Sequence, residues 1–314
     1  GDPDENRPRV LPDGTHYVTD VRLKRFARDF MKARGEDILV DNIEGRTTNL
    51  TGRVADYLSK KGIEKADADK IVEILLSSFI DARMFGSAFA FKSENPKSKK
   101  GHVETKVKEK KIEWESPKSR TGAVQMNMGE VLHKAEEVDI HGTSILGSDE
   151  EKTQGTFTTY FGLRYALIGF SGVANEHSAK ISKMTDADYE NLLKAMWHGV
   201  RVCGNTRTKV GQIPHLLIDI RYNTGEEFQF GRLHDYVKMG STNGKKEKEW
   251  ASPEDYKLDL SLLIKRLGEQ KNRIEVVRYA RSSDIQFKET LPTDWQETLD
   301  VENLPPKSTI PCKE

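Results

Sequence analysis

Between Asp20 and Arg34 six basic residues, Arg22, Lys24, Arg25, Arg28, Lys32 and Arg34, face only two acidic ones. Cations spaced along one helical face can follow a phosphate backbone without reading a base. A solvated helix face has the same composition, so this run alone decides nothing. A second stretch shifts the balance. From Asn191 to Ile218 there is no acidic residue, and Arg201, Arg207 and Lys209 lie in or beside the polar turn Asn205-Thr-Arg-Thr-Lys-Val-Gly-Gln212. Its side-chain donors and small residues suit a loop that touches a nucleic-acid backbone. A third piece, Thr121-Gly-Ala-Val-Gln125-Met-Asn127-Met128, supplies amides and flexible methionines.

Other constellations carry less. Asp2, Asp4, Asp13 and Asp20 gather near the first loop and could hold Mg²⁺ for phosphodiester cleavage. Turn formation by Asp2 and Asp4 and helix capping by Asp20 explain them more simply. Gly169-Phe-Ser171-Gly172 lacks the second glycine of a nucleophile elbow and reads as a strand end. The loop from Gly240 to Lys246 is one residue short of a phosphate-binding P-loop and has no Ser or Thr after its lysine. The two cysteines, Cys203 and Cys312, make no CxxC pair, and the eight histidines make no HxxxH or HExxH pair. We therefore expect no metal and no cofactor.

The elements that must position these residues follow from periodicity. Leu23, Phe26, Ala27, Phe30 and Met31 recur at helical spacing behind Thr19 or Asp20, and Gly35 ends the run. Helices are predicted over 52–60, 68–79, 185–200 with Thr185 as cap, and 258–267. Strands are predicted over 82–91, 163–173, 214–222 and 274–280. Residues 92–118 hold nine lysines and five glutamates, too polar for core, and form an excursion from the fold. Residues 136–160 read as a long hairpin-like arm with a polar tip. The chain has 314 residues, fifty basic against fifty acidic, 32% charged, with mean hydropathy −0.67. No run approaches the roughly 18 apolar residues that span a bilayer, so a soluble, cytoplasmic protein is expected. The order helix, strand, strand, helix, strand predicts an α+β, RRM-like (ferredoxin-like) fold whose first strand would precede Gly1.

The pieces together resemble one family. Gly1-Asp-Pro-Asp-Glu-Asn-Arg-Pro-Arg9 followed by Val18-Thr-Asp-Val-Arg-Leu-Lys-Arg25 is similar to the opening of the Cas7 family. The resemblance continues through Arg83-Met-Phe-Gly86, Thr121-Gly-Ala-Val-Gln125, Thr153-Gln-Gly-Thr-Phe157, Tyr165-Ala-Leu-Ile168 and the 205–212 turn, and covers roughly residues 1–222. That family forms the backbone of type I CRISPR Cascade complexes, and this version most resembles subtypes I-B and I-C.

The resemblance implies an RRM-like palm with a helical fingers or web insertion and a β-hairpin thumb. Palm segments would be 1–40, 121–135 and 161–225, with the fingers at 41–120, the thumb at 136–160 and a C-terminal extension at 226–314. It implies non-catalytic, sequence-independent binding of CRISPR RNA in a helical filament, with target DNA reached through the guide. Partners would be neighbouring copies and other Cascade subunits, and no membrane. Arg22, Lys24, Arg25, Arg28, Arg207 and Lys209 would meet phosphates, and Gln125, Asn127 and Gln212 would donate to backbone or sugar. Ser144, Lys152, Thr153 and Gln154 would lie on the thumb against a neighbouring subunit. A type III-like subunit cleaving target RNA through Asp2, Asp4 or Asp13 is the alternative. An ordinary RRM is disfavoured, because neither 163–173 nor 214–222 carries its aromatic signature.

Overall fold

The computed structural model describes residues 1–2, 4–42, 50–63, 65–66, 68–87, 102–103, 112–114, 120–143, 157–204 and 209–297. Among these, seven α-helices run Asp20–Ala33 (α1), Leu50–Lys60 (α2), Ala68–Ser78 (α3), Ile80–Phe85 (α4), Glu176–Ser182 (α5), Asp186–Val202 (α6) and Ser261–Glu269 (α7). With short strands between them, the class is α+β. None of these helices is long and apolar enough to cross a membrane. The chain divides into two compact units. One contains Gly1–Leu23, Met126–Gly172 and Gly204–Val301, the other Lys24–Gln125, Val173–Cys203 and Glu302–Glu314.

The first unit is strand-rich. Arg9–Val10 turns back on His16–Val18, and the sheet continues through Gly129–Val131 to Ile168–Gly169. Glu137–Thr143 pairs antiparallel with Phe157–Leu163 over seven residues, the described part of the arm expected at 136–160. Leu216–Tyr222 pairs with Ile274–Arg281. Leu216, Ile218 and Ile220 alternate onto a core of Trp250, Tyr256, Leu258, Leu260, Leu263 and Leu267, as the two-residue period of a strand requires.

The second unit is helical, with a core of Leu39, Val54, Leu58, Ile71, Leu75 and Phe79. α1 buries Phe26, Ala27, Phe30 and Met31, the stripe that its spacing predicts. It closes at Gly35 (φ 95°), whose N–H bonds to the Lys32 carbonyl while the Glu36 N–H reaches Met31; this is the Schellman arrangement. α6 opens with a capping box: Thr185 accepts from the Asp188 N–H at 3.1 Å and Asp188 accepts from the Thr185 N–H at 3.0 Å. The two helices meet where Gly199 has no side chain, since a Cβ there would lie 2.5 Å from the Phe26 carbonyl oxygen.

Three expected elements differ. The segment 82–91, read as a strand, opens instead inside α4, which buries Ile80, Asp81, Ala82 and Met84 and stops at Gly86 (φ 74°); Gly86–Ser87 is a strand, and 88–91 lie outside the described residues. The apolar run 163–173 is not one strand. It holds the end of the Phe157–Leu163 strand, then Ile168–Gly169 and the start of Gly172–Ala174. A mostly apolar sequence, broken here by Arg164 and Ser171, lacks the alternation that marks a strand's face. At 258–267, Tyr256–Asp259 is a strand and the helix begins at Ser261.

Candidate nucleic-acid interface

α1 displays its cations in two environments. Arg28 is buried, its Nε bonded to Asp81 at 2.8 Å and its guanidinium 4.9 Å from the centre of the Phe85 ring. Asp81, 1% exposed, also accepts from the N–H groups of Leu39 (2.7 Å) and Val40 (3.1 Å). A carboxylate satisfied from three sides fixes the guanidinium it faces. Arg28, expected on phosphate, is thus a core ion-pair residue. Arg25 pairs with Asp29 and Asp41 and donates to the Val40 carbonyl, while Lys32 lies 2.5 Å from Asp41. Lys24 sits with its Nζ 5.4 Å from the centre of the Phe85 ring.

Arg22, in the first turn of the same helix, is exposed and lies in the first unit. There it faces Lys209. The Lys209 ammonium is held below the ordinary lysine range, by burial first and by the positive charge of Arg22 second. Arg9 donates from Nε to the Gly1 carbonyl at 2.8 Å, and Lys209 and Arg22 lie within electrostatic range of the same residue. The fold therefore gathers Arg9, Arg22 and Lys209, distant in sequence, into one neighbourhood. Sequence reasoning missed Arg9, whose signal was its place in the opening loop two residues after Arg7. Gln212 follows in the same turn, its N–H bonded to the Lys209 carbonyl at 3.3 Å, and Gly211 (φ 89°) lets the chain bend there. Val210 and Ile213 beside them are exposed.

Gln125 and Asn127 are both exposed. Gln125 donates from Nε2 to the Gly122 carbonyl at 3.1 Å, and the Asn127 N–H bonds to the Ser171 carbonyl at 2.9 Å. Arg207, Ser144, Lys152, Thr153 and Gln154 lie outside the described residues. The first-loop aspartates are engaged by backbone: Asp2 Oδ1 accepts from the N–H groups of Asp4 and Glu5, and Asp13 Oδ1 from Thr15 at 2.9 Å. Those bonds hold both carboxyls below their usual range, the Glu5 and Thr15 N–H groups contributing most. Asp2 and Asp13 are turn-forming residues.

Two motifs of the resemblance are architectural. Arg83 grips Asp188 with two bonds of 2.8 and 2.7 Å, and its carbonyl accepts from the Ala123 N–H. Gly86 pairs with Thr121, and a Cβ on Gly122 would stand 2.2 Å from the Gly86 nitrogen. Arg83-Met-Phe-Gly86 and Thr121-Gly122 are thus two sides of one contact.

The family model described as CRISPR-associated protein Cas7 matches residues 1–261. The CRISPR-associated protein Cas7 of Haloferax volcanii is 28% identical over 281 residues, 87% of this chain and 79% of that protein. A solved chain titled CRISPR RNA-guided surveillance complex aligns over 95% of this chain and 91% of its own length, with 12% identity and TM-score 0.46. A second, from the same kind of complex in a pre-nicking state, covers 93% and 92% with 13% identity and TM-score 0.47.

Proposed function

The chain belongs to the CRISPR-associated Cas7 family, and from that membership we propose that it is a non-catalytic backbone subunit of a type I CRISPR RNA-guided surveillance complex. It grips CRISPR RNA through phosphates and sugars and leaves base edges outward to pair with target DNA. Copies of it repeat along the guide beside the other subunits.

The observation that carries this reading is the gathering of Arg22 and Lys209, with Arg9 nearby, in the first unit. Folding that brings like charges together pays in stability, and a polyanion returns that cost on binding. Arg22, Lys209 and Arg9 meet phosphates, as does Arg207, two residues before Lys209 in sequence, and Gln212, Gln125 and Asn127 donate to backbone or sugar. Arg28 and Arg25 leave this set, because carboxylates hold them. The antiparallel pair Glu137–Thr143 and Phe157–Leu163 suits a thumb. Ser144, Lys152, Thr153 and Gln154, between those strands in sequence, face the neighbouring subunit.

The test is co-expression with a CRISPR array, its processing nuclease and the partner subunits, followed by sequencing of the RNA that co-purifies. CRISPR RNA of uniform length, in a particle many times the mass of one chain, is the expected result. A nucleic-acid-free monomer, or random cellular RNA, would overturn the reading.

A further inference from the structure

A separate cluster lies in the first unit, away from any role assigned above. Glu130 sits on the Gly129–Val131 strand, and His234 and Asp235 sit on the single 3-10 turn Leu233–Tyr236. The imidazole of His234 is buried, its side chain 4% exposed. Its Nδ1 lies 2.7 Å from Ser171 Oγ, and that same oxygen accepts from the His234 N–H at 3.1 Å. The ring is therefore fixed from one side. Its other nitrogen, Nε2, is buried without a hydrogen-bond partner. It stands 3.9 Å from Glu130 Oε2 and 3.7 Å from Asp235 Oδ1.

An imidazole held through Nδ1 and open at Nε2, beside two carboxylates, is how proteins present histidine to a metal. We propose that Glu130, His234 and Asp235 bind one divalent transition-metal cation of the zinc type, with Ser171 as the positioning residue for the ring. One nitrogen and two oxygens suit that class of ion, and water completes its shell. The three ligand atoms lie within 4.8 Å of one another. Tetrahedral zinc, with bonds of about 2.0–2.2 Å, sets its ligands roughly 3.4 Å apart, so the cluster closes by a modest side-chain movement. A cavity of about 280 Å³, lined by Thr15, Glu130, His234, Asp235, Lys238 and Glu247, adjoins the cluster and leaves room for that water.

The competitor is Arg232. Its guanidinium bonds Asp235 at 2.8 and 3.0 Å and pairs with Glu130, so it already supplies part of the compensating charge. A bound cation would share the carboxylates with it and tie the 3-10 turn to the sheet.

The experiment is to strip the full chain with a chelator, dialyse it, and titrate it with Zn²⁺ by calorimetry. One equivalent per chain and a rise in melting temperature are expected. Substitution H234Q should weaken uptake about 100-fold, whereas H177Q, at an exposed histidine, should leave it unchanged. R232Q should tighten binding, because it removes the cation that competes for the same oxygens; if the cluster were only an ion-pair network, R232Q would destabilise the chain without raising zinc affinity. No stoichiometric uptake by the wild-type chain, or equal uptake by H234Q, would overturn the proposal. Should H234Q fail to fold, Co²⁺ added to the wild-type chain decides. Intense visible bands of a four- or five-coordinate ion support the site, and the weak spectrum of the hydrated ion refutes it.

Discussion

The two ends of α1 look alike in sequence and meet opposite fates. Toward its middle and C-terminus, Arg25, Arg28 and Lys32 each find a carboxylate: Asp29 and Asp41, Asp81, and Asp41 again. At its start, Arg22 meets Lys209, another cation. The first group is consumed by the fold, and Asp81 at 1% exposure marks how completely. The second is a charge concentration that the fold alone does not explain. A basic helix is thus two features, one whose cations are paired with carboxylates and one where a cation is set near another cation.

The largest expected effect lies on the consumed side. Asp81→Asn keeps the shape but leaves the Arg28 guanidinium buried without its counter-charge, a change that costs about 3–5 kcal/mol. Urea denaturation should show the midpoint fall with an unchanged slope. A cost under about 1 kcal/mol would mean that Arg28 is hydrated, and the distinction between the two ends would collapse. On the gathered side, R22Q/K209Q should fold normally and lose RNA. Each phosphate contact to a single strand contributes about 0.7 to the slope of log K against log salt, so the double variant should flatten it by roughly 1.4. Fluorescence anisotropy on guide RNAs of unrelated sequence measures this, and the loss should be even across them. An unchanged slope would put the phosphate path elsewhere on the molecule.

What could be read from sequence was local. The stripe of α1, its stop at Gly35 and the Thr185 cap depend on neighbours within a few positions, and each falls where the residue types require. The alternation of Leu216, Ile218 and Ile220 was equally legible. What could not be read depends on distant partners. Asp81 is 53 residues from Arg28, and Ser171 is 63 from His234. No spacing rule links such pairs, so Arg28 read as a surface cation and His234 as one scattered histidine among eight. The run at 163–173 failed for another reason: it is mostly apolar, with Arg164 and Ser171 as its breaks, and nothing in it announces that Ser171 holds His234. Glycines bridged the two cases. Gly86 and Gly122 were visible as motif residues, yet only their close approach explains why neither tolerates a Cβ.

The comparison sharpens further without RNA. If Arg22 and Lys209 oppose folding, then R22Q alone should leave stability unchanged or raise it, by no more than about 0.5 kcal/mol for an exposed position, while it weakens RNA binding. A clear loss of stability would mean that Arg22 serves the fold as Arg28 does.

Alkaline pH gives the smallest and most specific effect. The folded protein holds the Lys209 ammonium below its ordinary value of 10.5, burial being the main cause and Arg22 the second. In the window between the depressed folded value and 10.5, the unfolded chain carries more protons at this site than the folded one. Stability must then rise with pH across that window, because unfolding takes up a proton. Below the folded value both states are charged and the folded one bears the full penalty; above 10.5 the penalty is gone. Other groups titrate in the same range, so the informative quantity is the difference between wild type and K209Q. Wild type should gain on K209Q as pH climbs toward 10.5. Repeated with R22Q as background, the gain should shrink but survive, since burial acts without Arg22. A flat difference would mean that Lys209 is solvated, and the charge concentration at the start of α1 would lose its second member.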